Sequence, residues 1–110
     1  MLAGFDVTHA DQASRHQVKD GITVTTLRDG THDELSAMLI DFEPGAVFGE
    51  ELHQTPEILF VLEGQFHDGQ QIHPAGTLIT ATAGSVHWPQ SETGCRLLAL
   101  YPNGTASAGE

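Results

Sequence analysis

Three residues in the middle of the chain have the types and spacing needed to hold a metal ion: Glu51, His53 and Glu57. Carboxylate and imidazole are both good ligands for divalent first-row metals. On an extended strand, residues two apart project to the same face, so Glu51 and His53 can enter one interior together. Glu57 directly precedes Ile58-Leu59-Phe60-Val61-Leu62, a run that reads as a strand buried on both faces. Polar side chains beside such a run need compensation. Burying one unpaired costs about 2–7 kcal/mol for a neutral group and more for a charge. A bound cation would remove that cost.

The stretch carrying these residues opens with a turn at Pro44-Gly45 and closes with another at Glu63-Gly64. Ahead of it, residues 22–27 alternate and are β-branched, as a strand requires. Arg28-Asp29-Gly30 is a turn signal. Residues 35–42 form the next expected strand, with Leu35, Ala37, Leu39 and Asp41 on one face and Met38, Ile40 and Phe42 on the other. Beyond the central stretch, residues 65–67 continue as a strand, and Asp68-Gly69 makes a tight hairpin turn into residues 70–73. Pro74-Ala75-Gly76 and Ala83-Gly84-Ser85 are further turns, with strands expected at 77–81, 86–88 and 96–101. Eight to ten short strands without a convincing helix indicate an all-β sandwich or barrel. Residues 1–20 are polar and weakly periodic. Positions 11–17 suit a helical turn, and the segment is expected to be an arm that packs over the domain or exchanges with a partner subunit. Residues 102–110 are small and polar, as in a flexible tail.

Composition narrows the function classes. The chain has 110 residues and is 39% hydrophobic, which suits one domain with a modest core. No apolar run approaches the roughly 18 residues of a membrane span. The first residues lack the basic region and apolar stretch of a secretory signal. A single cysteine, Cys95, allows no internal disulfide, and a cytoplasmic location is expected. The formal net charge is −11, and the only basic residues are Arg15, Lys19, Arg28 and Arg96. No basic stripe is available to neutralise phosphates, so neither nucleic acid nor an anionic membrane is an expected partner. A metal ion or a neutral or cationic small molecule fits better.

These motifs resemble those of the cupins, small double-stranded β-helix barrels of the jelly-roll type. The first cupin motif is matched by Gly45, Glu51-Leu52-His53, Glu57 and Gly64. The second is matched by Gly76 followed by Thr82-Ala83-Gly84-Ser85-Val86-His87, with Thr82 where proline is usual. Several flanks look more specifically like the cupin domain of ChrR-type anti-sigma factors and related small dioxygenases: Leu27-Arg28-Asp29-Gly30, Phe42-Glu43-Pro44-Gly45-Ala46, Pro74-Ala75-Gly76-Thr77 and Thr93-Gly94-Cys95. The resemblance covers residues 21–101 and implies a single cupin barrel between the arm and the tail.

The resemblance also implies a metal site of Glu51, His53, Glu57 and His87, where Glu51 replaces the first histidine of the family's His-x-His. The ion would be Fe, Mn, Zn or Ni. Glu51 is either a ligand or a free carboxylate acting as general base. The activity implied is that of a metal-dependent enzyme acting on a small organic molecule, with dioxygenase-type chemistry. A metal-binding sensor of the anti-sigma type and a non-redox Mn or Zn lyase or isomerase are the alternatives. A homodimer is expected. His67 and His73, flanking the Asp68-Gly69 turn, and His9, His16 and His32 in polar segments are expected at the surface. Trp88 suits a rim or a substrate wall, and Cys95 suits a small buried hydrophobe.

Overall fold

The computed structural model describes residues 2–31 and 34–105. Among these, eleven strands form: β1 (Ser14–Lys19), β2 (Ile22–Arg28), β3 (Ser36–Phe42), β4 (Ala46–Val47), β5 (Glu51–Leu52), β6 (Glu57–His67), β7 (Ile72–Pro74), β8 (Leu78–Ala81), β9 (Val86–His87), β10 (Gln90–Ser91) and β11 (Cys95–Tyr101). The one helical element is a 3-10 turn at Ala10–Gln12. Nine strands make a single curled sheet, in which β1, β2, β3, β11 and β6 follow one another. β5 and β9 pair separately.

β6 is the hub. Its first half lies between β11 and β8, and its second half meets β7 and β10. Opposite residues across antiparallel strands share a face. One such row runs from Val24 through Ile40 and Leu97 to Val61 and faces inward. The core is built on that face from Ile22, Phe42, Leu59, Val61, Phe66, Leu97 and Ala99. Burial of each large side chain stabilises the fold by about 1.5–3 kcal/mol.

Three expectations are corrected here. The run 58–62 is not buried on both faces: Leu59 and Val61 are 3% and 0% exposed, whereas Leu62 is 39% exposed. The sheet has one inner face, so β6 alternates instead of burying every residue. Leu35 falls outside β3 and is exposed, while Met38, Ile40 and Phe42 line the interior. In the arm, helical geometry stops at Gln12, and β1 then pairs antiparallel with β2. The connection is the two-residue loop Asp20-Gly21 between the paired Lys19 and Ile22, with Gly21 at φ 74°. An Asp-Gly loop of this length favours the hairpin. The side chains of β1 are exposed along its length. Its end is nevertheless tied down: Lys19 Nζ donates to the Phe48 carbonyl at 2.7 Å and lies 4.6 Å above the Phe48 ring.

Gly64 marks where β6 pairs with the start of β11, opposite Cys95. Its φ is +75°, and a Cβ there would collide with the carbonyl oxygen of Gly94. Both the backbone conformation and the space exclude a side chain. Gly64→Ala is expected to cost about 2 kcal/mol or more, read as a lower urea midpoint. The turn expected at Glu63-Gly64 is thus a point inside β6 where two backbones approach closely, and an unchanged midpoint would contradict that account.

Candidate metal centre

The ligand-type residues are brought together by two local pairings. In the β5–β9 ladder, Glu51 lies directly opposite His87 and Leu52 opposite Val86. The ladder continues past the strand end, where His53 N–H donates to the Ser85 carbonyl at 2.9 Å and Gly84 N–H donates to the His53 carbonyl at 2.7 Å. His53 therefore sits two positions from Glu51 on the same face, with its backbone fixed on both sides. Glu57 opens β6 and faces inward ahead of Leu59 and Val61. Phe66, fully buried, backs the site with its ring centroid 6.0 Å from that of His87.

One candidate ligand atom from each of Glu51, His53, Glu57 and His87 lies within 4.8 Å of the other three. The cluster could hold a metal ion. Its internal bonding is uneven. His87 Nε2 and Glu51 Oε1 are 2.8 Å apart and satisfy each other. His53 Nδ1 approaches Glu57 Oε1 at 3.3 Å without forming a hydrogen bond. His53 Nε2 and Glu57 Oε1 are buried and have no hydrogen-bond partner. Two bare polar atoms among buried side chains are costly unless a cation binds them. The donor set thus fits a divalent ion.

Burial shapes the protonation of these groups. It lowers the His53 pKa, and the neighbouring His87 lowers it further, while Glu51 opposes the shift. It raises the Glu57 carboxyl to about 7, with Glu51 adding to the rise and Tyr101 and His87 working against it. Burial raises the Tyr101 hydroxyl as well, and the negative charge of Glu57 adds to the rise.

Glu51, Glu57 and His87 open onto a cavity of about 240 Å³ on the inner face of the sheet. Its walls are apolar and include Met38, Ile40 and Phe48, with Val18 of β1 at one side and no lysine or arginine among the lining residues.

The other histidines lie elsewhere. His67 Nδ1 accepts from the Gly69 N–H at 3.0 Å, and His73 Nε2 pairs with Asp68 Oδ2 at 2.7 Å. Both are half-buried rather than exposed, because the 68–71 loop uses them to hold its shape. Burial raises the Asp68 pKa, but the Gln71 N–H, His73 and the Gln70 N–H outweigh it and hold the carboxyl down at about 2. His9 and His16 are exposed, as expected, and His32 lies outside the described residues. Trp88 is 43% exposed and packs over Gly69, away from the cavity lining. Cys95 is buried, and burial pushes its thiol up to about 11, which fits a small hydrophobe. Tyr101, which lines the cavity together with Glu57, escaped the sequence reading, since the two lie on different strands and no local motif joins them.

The sequence profile of the ChrR cupin-like domain matches residues 4–101. The chain belongs to the ChrR cupin-like family. Solved structures agree on the fold. An RmlC-like cupin from Shewanella frigidimarina is 24% identical, with 93% of this chain and 92% of that one covered at a TM-score of 0.78. The anti-sigma factor ChrR of Rhodobacter sphaeroides, solved in complex with SigE, is 24% identical at a TM-score of 0.71, covering 84% of this chain and 50% of that one. A candidate acetylacetone dioxygenase from Methylibium petroleiphilum is 14% identical at a TM-score of 0.77, covering 92% and 78%. No curated protein matches the sequence. Identities this low establish the shared cupin fold alone. Among the described residues, no helix is long and apolar enough to cross a membrane.

Proposed function

We propose that this ChrR-like cupin is a metal-dependent enzyme acting on a small organic molecule, with dioxygenase-type chemistry at a non-haem metal. The observation that carries the reading is the pair of buried, partnerless atoms, His53 Nε2 and Glu57 Oε1, beside an apolar cavity. His53, Glu57 and His87 would hold the ion, with Glu51 as fourth ligand or as general base. A bound redox-active ion would supply oxygen activation or Lewis acidity. The chain's own contribution is to bind and orient. Met38, Ile40 and Phe48 exclude water, and Glu51, bonded to His87, is placed to accept a proton from a bound molecule.

Metal analysis of protein purified without added metal, followed by oxygen uptake with a small 1,3-diketone, tests the proposal. Iron and substrate-dependent oxygen uptake support it. Manganese or zinc without oxygen uptake moves the reading to a lyase or isomerase. Failure to take up any of these ions ends it. The family match favours one second reading, a metal-holding sensor module of the anti-sigma type. In that case metal is retained and no turnover is found.

Glu51→Leu separates the two roles of Glu51. As a ligand, its loss should weaken metal binding about ten- to a hundredfold, by the scale of lost supporting interactions at metal sites. Full metal occupancy in this variant, measured by stoichiometry, would leave Glu51 only the role of a base.

A further inference from the structure

We infer that β1 is the specificity-determining wall of the cavity: Val18 limits what fits at its mouth, and Lys19 is the positioning residue that latches β1 onto Phe48. The inference rests on the reading of this cavity as the substrate site.

The wall is made by an irregularity in the β1–β2 ladder. Gln17 lies opposite Thr23 and Lys19 opposite Ile22, so Val18 is an extra residue with no partner of its own. A bulge of this kind re-aims side chains, and bulges are common at sheet edges and beside active sites. In a regular strand Val18 and Lys19 would point to opposite faces. Here both reach the inner side. Val18 lines the cavity although it is 42% exposed, which places it at the opening. Lys19 reaches Phe48, another lining residue, with its ammonium 2.7 Å from the Phe48 carbonyl oxygen and 4.6 Å from the ring centroid.

Phe48 needs such a tie. It lies between β4 and β5, outside any strand, and Gly49 after it has φ 96°. Its N–H donates to the carbonyl of Pro89, also a lining residue, at 2.8 Å, and its own carbonyl accepts from Lys19. The chain carries a net charge of −11, yet among the described residues Lys19 forms no ion pair with a carboxylate. Its charge is directed at a carbonyl and a ring face instead, both favourable partners for an ammonium. Val18 and Phe48 are thereby joined through Lys19 into one wall, three residues ahead of Glu51. Without the latch, the edge strand and the Phe48 segment are free to part, and the mouth widens.

The test is calorimetric titration of the full chain, in chelator, with benzyl alcohol and with 4-butylbenzyl alcohol, two uncharged probes that differ by a butyl group. The quantity read is the ratio of the two affinities. In Lys19→Met, which keeps the stem and removes the ammonium, the ratio should shift about three- to tenfold toward the longer probe. Lys19→Arg, which can still donate to the carbonyl and cover the ring, should keep the parent's ratio. Val18→Ala, which opens the mouth directly, should shift the ratio the same way by about tenfold. Both positions are exposed, so none of these changes removes core packing. Co(II) uptake, followed separately by visible absorption, should be the same in all four proteins. An unchanged ratio in Lys19→Met or in Val18→Ala would overturn the inference, as would a parent that binds neither probe. A parent that binds the probes and no Co(II) would instead end the metal-centre reading and leave the wall standing.

Discussion

Replacing His53 with alanine is expected to abolish stabilisation of the protein by metal. In the parent, an ion at about 100 times its Kd adds about 2.7 kcal/mol to the folded state. For a chain of this size that corresponds to a melting temperature higher by about 10 °C or more. His53→Ala removes one of the two partnerless buried atoms and should show no such rise. Without metal the variant should melt close to the parent. Losing a bare buried nitrogen relieves about 1–3 kcal/mol of desolvation, which offsets much of the lost packing. Thermal melts with and without chelator measure both quantities. If parent and variant respond alike to chelator, the ion binds elsewhere.

The second large effect is a dependence of metal-free stability on pH that runs opposite to ordinary acid denaturation. The Glu57 carboxyl has an ordinary value of 4.5 and is raised to about 7, first by burial and then by Glu51. Between these values the folded chain keeps a proton that the unfolded chain has released. The contribution of Glu57 is therefore complete below pH 4.5 and is lost as pH rises through 7, to a total of about 3 kcal/mol. His53, whose pKa burial lowers, acts in the other direction below 6.5. Comparison with Glu57→Gln removes that second contribution. Urea unfolding of metal-free protein should show the parent losing stability relative to Glu57→Gln between pH 5 and pH 8. A difference that stays constant would contradict the assigned environment of Glu57. Metal binding below pH 7 should also displace this proton into solution.

Much of the barrel was readable from local pattern. Residues 22–27, 35–42, 77–81 and 96–101 alternate or are β-branched, and they became β2, β3, β8 and β11. Strand alternation, a local property, put Glu51 and His53 on one face before any pairing was known, whereas Glu57 opens a different strand beyond the non-strand residues 53–56. The parts that were missed depend on pairing. β1 is exposed on every residue, so it carries no apolar alternation, and its one clear signal was the Asp20-Gly21 loop. The run 58–62 looked doubly buried because Ile58, Phe60 and Leu62 are apolar, although they lie on the outer face. The bond between Glu51 and His87 and the cavity wall shared by Tyr101 and Glu57 join distant segments, and only the ladders β5–β9 and β11–β6 bring them into reach.

The pairing of β3 with β11 has a kinetic consequence. It sets Phe42 against Cys95 and Ser36 against Tyr101, segments separated by most of the domain. Such non-local pairing gives slow folding, on the scale of milliseconds to seconds. On the ribosome, the sheet cannot close until β11 has emerged. An ion held by the cluster of Glu51, His53, Glu57 and His87 would then be captured by a chain already folded. An interaction made after the transition state slows unfolding and leaves the folding rate almost untouched. Metal supply would therefore govern how long the folded protein survives, and not how quickly it forms.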